Sequence, residues 1–72
     1  MSHLESVVRH SLKVHKEFLF LGDDGFVVQA NDLDNVIAIL VTDPKGNPTF
    51  DHYGDFTLLL HHLKAHGGHL HH

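Results

Sequence analysis

The hydrophobic positions of the chain change period along its length, and each change marks a new element. Leu4, Val7, Val8, Ser11, Leu12 and His15 recur at the i, i+3, i+4 spacing of one helical face. Ser6, Arg9 and Lys13 take the far side, as solvent contact requires. Ser2 and Glu5 stand at the spacing of a capping box. The pattern predicts a helix over about 3–15. Its end is open by several residues, because a period of two also fits from Leu12 to Phe20.

Beyond it, Phe18-Leu19-Phe20-Leu21 and Phe26-Val27-Val28 flank Gly22-Asp23-Asp24-Gly25, a hairpin signal. Both runs are apolar on both faces, which implies burial on each side or a partner surface. Asn31–Asn35 reads as a polar turn or one short helical turn. Val36–Thr42 is β-branched and continuous enough for the middle of a sheet. Asp43–Pro48 supplies turn chemistry, with Pro44 presetting φ and Gly46 tolerating a left-handed backbone. Thr49–His52 could return as a fourth strand, with Pro48, which has no N–H to donate, at an edge or strand-start position. Asp55 is positioned to cap a second helix whose stripe is Phe56, Leu59, Leu60 and Leu63, ending at Gly67-Gly68. The expectation is a single domain over 1–68 with a flexible histidine-rich tail over 69–72.

The order α-β-β-β-(β)-α predicts a small two-layer α+β domain. Its antiparallel meander has three or four strands, because hairpin-length connections cannot join parallel neighbours. With both helices on one face, the other is left bare. Exposed apolar surface of that kind usually marks association, so a homodimer is expected, with an unidentified protein partner as the other occupant. The residues expected at that interface are Phe18, Phe20, Phe26 and Val28, on strand faces that cannot all share one core. Leu58, pointing away from its helix's stripe, joins them.

Composition narrows the alternatives. Seventy-two residues make one domain of marginal size. With no cysteine, disulfides and thiolate metal sites are excluded. A hydrophobic share of 42% is that of a folded chain. The longest apolar run, Val36–Val41, is far short of the roughly 20 residues a bilayer crossing needs. Charges interrupt the N-terminus where a signal peptide would be apolar. The expected setting is therefore cytoplasmic, without membrane contact. Five Lys and Arg against nine Asp and Glu give −4, which argues against a nucleic-acid partner. Double-stranded RNA-binding domains share the order α-β-β-β-α, but the approach to the last helix here is Asp51, His52, Gly54 and Asp55, acidic where lysines are needed.

Ten histidines would carry the net charge from −4 to 5 + 10 − 9 = +6 if all were protonated. None lies between Lys16 and Asp51, so the central strands carry none. His62 and His66 are four apart on the second helix. With His69 they could offer imidazoles to Zn, Ni or Cu, the one cofactor class implied. Leu63 follows His62 where a metalloprotease motif has glutamate. His15, inside the first apolar stripe, reads as a core or interface histidine. His52, near Asp51 and Asp55, is the only mixed acid–base cluster, and strand end and helix cap account for it. The serines, Ser2, Ser6 and Ser11, are confined to the first helix, so no catalytic residues are expected. The sequence thus points to a small non-enzymatic interaction or regulatory module, with histidine-based metal binding as the alternative.

Overall fold

A computed structural model describes residues 3–67 and the backbone of 69–71. Helix α1 (His3–His15) leads into β1 (Glu17–Leu21), β2 (Val27–Asp32), β3 (Ile37–Thr42) and β4 (Pro48–Gly54). Helix α2 (Phe56–His66) and β5 (His69–His71) complete the chain. This is the expected small α+β domain, its four consecutive strands antiparallel and in one open sheet. No helix among the described residues is long and apolar enough to cross a membrane.

Lys16 makes the passage from α1 to β1 in a single residue. Its N–H closes the helix on the Leu12 carbonyl at 3.1 Å. Its backbone is left-handed (φ 61°), which turns the chain straight into the sheet. The Ser2 half of the capping box lies outside the described residues. Asp55 caps α2 as its position predicts, accepting from the Leu58 N–H at 2.9 Å.

The register shows which side of each strand is inside. Phe20, Val28, Val41 and Phe50 form one row across the sheet, and Phe18, Ala30, Ile39 and His52 the next. These rows meet Val8 and Leu12 of α1 and Leu59, Leu60 and Leu63 of α2 in one core cluster. Both helices therefore lie on the same face. Three expected interface residues, Phe18, Phe20 and Val28, are core instead, 6%, 1% and 0% exposed. The helices claim that face because only they can cover the larger aromatic side chains from water. Leu58 also turns inward: it packs half-buried over Gly54, where an added Cβ would meet its Cδ2 at 2.5 Å. A side chain at Gly54 would have to push that Leu58 methyl aside.

Two other boundaries differ from expectation. Asn31 and Asp32, expected in a turn, extend β2 and pair with Ala38 and Ile37. The turn follows them, closed by the Leu33 N–H on the Val36 carbonyl at 2.9 Å, with Asp34 left-handed at φ 75°. Residues 69–71, expected as a tail, pair antiparallel with Leu19–Leu21 as β5, giving the sheet order β4-β3-β2-β1-β5. The unpaired edge of β1 offers N–H and C=O groups that the returning chain satisfies. Gly68 and His72 lie outside the described residues.

Phe20 is the largest of the fully buried side chains. Phe20→Ala should cost about 3–5 kcal/mol, enough to unfold much of a domain this size. Urea denaturation followed by circular dichroism measures it.

Candidate functional site

Alternation along each strand sends a second set of apolar residues to the face without helices. Leu19 and Leu21 of β1, Val27 of β2, and Ala38 and Leu40 of β3 are half-buried there. Gln29 stands between Leu19 and Leu40 in the same row, and Tyr53, 69% exposed, lies beside Ala38 on edge strand β4. Among the described residues, the charges on this face are Glu17 and Asp51, one near each side of the sheet. An aliphatic centre with a sparse polar margin is the layout of an interaction surface. The sequence missed these residues because it could not choose between odd and even positions of two strands apolar throughout.

On the opposite face, α2 brings histidines against the sheet. The His66 ring stacks on Phe26, with centroids 4.4 Å apart and planes at 17°, and its Nδ1 lies 2.8 Å from Asp24 Oδ2 in the β1–β2 turn. That hydrogen bond is the main reason the Asp24 carboxyl lies below the usual carboxylate range. Phe26, expected at the interface, is half-buried and occupied by this stack. Gly22 lets the helix end approach: a Cβ there would meet His66 Cβ and the Phe26 carbonyl at 3.1 Å.

His62, one turn earlier, makes a different contact. Its ring tilts against Phe50 at 4.4 Å, and its Nε2 is buried without a hydrogen-bond partner. Burial pushes its pKa below the ordinary histidine range, and His61 and His66 add like charge. His52 borders the same Phe50 ring at 5.0 Å.

Of the expected metal set, His62 and His66 are not brought together, and the side chain of His69 lies outside the described residues. His62 and His66 turn to different neighbours, and among the described residues no three His, Asp or Glu side chains are placed to hold an ion. The acid–base cluster around His52 is likewise dispersed. Asp51 and His52 are adjacent on a strand and so face opposite sides, while Asp55 is engaged as a cap. His15, expected in the core or an interface, is exposed and borders a cleft of about 500 Å³ beside β1, with Ser11, Glu17 and Asn31. A second cleft, about 310 Å³, lies between α1, the β2–β3 turn and the start of α2. Its cations Arg9, Lys13 and Lys16 are matched by Asp32, Asp34 and Asp55. Lys16 Nζ is 3.6 Å from Asp34, and the Arg9 guanidinium sits 4.1 Å over the Phe56 ring. That balance favours neither a cation nor an anion.

No known protein family, curated protein or solved structure matches the chain. The geometry alone therefore carries the functional reading.

Gly22→Ala should part α2 from the β1–β2 turn and lower stability by about 1–3 kcal/mol. The expected signature is loss of the Asp24–His66 bond, read from the His66 ring resonances, together with a lower melting temperature.

Proposed function

We propose that the chain is a small non-enzymatic interaction module, working as a cytoplasmic homodimer through the face of its sheet that no helix covers. The observation that carries this reading is the uncovered aliphatic cluster of Leu19, Leu21, Val27, Ala38 and Leu40, with Tyr53 beside it. Both helices pack on one side of the sheet, and among the described residues no element covers the other. Water against that cluster is unfavourable by roughly 25 cal/mol for each Å² of apolar surface, which a second copy would recover.

Size and charge favour a second copy as the occupant. Five strands at about 4.8 Å spacing and six residues at about 3.3 Å outline roughly 24 by 20 Å, suited to an interface at the small end of the specific range. The surface is self-complementary in kind, since an apolar centre can meet itself about a two-fold axis while Glu17 and Asp51 stay at the margin. Tyr53 is the residue type that most often anchors such contacts, with an apolar ring and a hydroxyl able to stay hydrated. A different protein partner would use the same face.

Sedimentation at micromolar concentration should give twice the 8.1 kDa chain mass. Leu40→Asp, which places a charge in the middle of the cluster, should give a folded monomer with unchanged circular dichroism. A wild-type chain that stays monomeric up to millimolar concentration would refute the homodimer.

A further inference from the structure

Helix α2 is held to the sheet at two histidines one turn apart, and the two sites tolerate a proton differently. At His62 the imidazole serves as an apolar body. It lies on Phe50, and its Nε2 is buried without a hydrogen-bond partner among the described residues. A second proton would turn that nitrogen into a buried donor on a cation, a costly state without a carboxylate or carbonyl to receive it. The groups around it make matters worse. His52 borders the same Phe50 ring from β4, and His61 and His66 flank it on its own helix, so the titratable neighbours share its sign. No described carboxylate pairs with it.

At His66 the Nδ1–H can donate to Asp24 whether or not Nε2 also carries a proton, so this bond survives protonation. The acids at that end are Asp24 itself and Asp23, whose Oδ2 would lie 3.6 Å from a Cβ at Gly67. The stack on Phe26 is equally compatible with a charged ring.

We propose that His62 and His66 make α2 an acid-released flap, in which protonation at His62 unseats the helix from Phe50 while the His66–Asp24 bond keeps its C-terminal end on the β1–β2 turn. The direction follows from linkage. A histidine held below its unfolded pKa of about 6.5 leaves the open state binding more protons, so docking is complete above that pH and is lost as pH falls below it. Each unit of acidification below 6.5 raises the opening constant by up to about tenfold, until His62 is protonated in the closed state as well. Opening would bare Leu59, Leu60 and Leu63, which are 0–9% exposed when docked.

Amide hydrogen exchange, corrected for intrinsic rates, tests this on the intact chain at one fixed concentration. Between pH 7.5 and 5.5, protection along α2 from residue 59 onward should fall about tenfold, while the His66 ring resonances keep the signature of the Asp24 bond. In His62→Leu the fall at 59–63 should vanish. In His66→Phe, which can keep the stack but lacks the bond, the fall along α2 should persist, because His62 still drives it. An equal fall in His62→Leu, or loss of the His66–Asp24 bond over the same pH range in the wild type, would overturn the proposal. If His62→Leu does not fold, the wild-type His62 ring titration decides the matter: the loss of protection must share its midpoint, and a midpoint belonging to another histidine sinks the idea.

Discussion

Everything in this molecule depends on a single apolar layer between one sheet face and two short helices. Val8 and Leu12 from α1 and Leu59, Leu60 and Leu63 from α2 meet Phe18, Phe20, Val28, Ala30, Ile37, Ile39 and Val41 in one cluster. Among the described residues, α1 and α2 are the helices, and both lie on that one face. Filling one face therefore leaves the other with only its own side chains for cover. The asymmetry is what makes the sheet a candidate binding surface, and it follows from size, since a small domain can bury only a limited share of its apolar area.

The same layer sorts the histidines. As a composition they are one reservoir of charge, but their neighbours divide them. His15 is exposed at the end of α1, His66 is tied to a turn carboxylate, and His62 is lodged on Phe50 with a nitrogen unanswered. Imidazoles in such different surroundings play different structural parts. The Asp24–His66 contact also shows how a turn fixes a helix forty residues away. Asp24 accepts the Phe26 N–H through one oxygen and meets His66 through the other, and Gly22 leaves room for both.

Much of the architecture was legible because it rests on local rules. The first helix spans His3–His15 as its 3.6-residue stripe indicates, and Asp55 caps the second from the expected position. The hairpin around Gly22–Gly25 and the strand after the Asp43–Pro48 turn are written in residues whose backbone preferences are strong on their own. The site was far less legible. Phe18-Leu19-Phe20-Leu21 alternates aromatic with aliphatic, both apolar, so its period of two has no polar phase to show which half is inside. The wrong half was expected outside, and the same ambiguity misplaced Val28. Leu58 was misjudged because the open space above Gly54 belongs to another strand end.

By itself, then, the sequence determined the kinds and order of the elements up to α2, the absence of cysteine chemistry, and the lack of histidine between Lys16 and Asp51. These are properties of local periodicity and composition. Only the tertiary structure decided which face of the sheet the helices take, and hence that Leu19, Leu21, Val27 and Leu40 are the uncovered set. It alone paired His69–His71 with the open edge of β1, since that tripeptide has no strand signal until an edge lies within reach. It alone separated His62 from His66. Each of these outcomes depends on residues distant in the chain competing for one buried layer, and no local pattern records who wins.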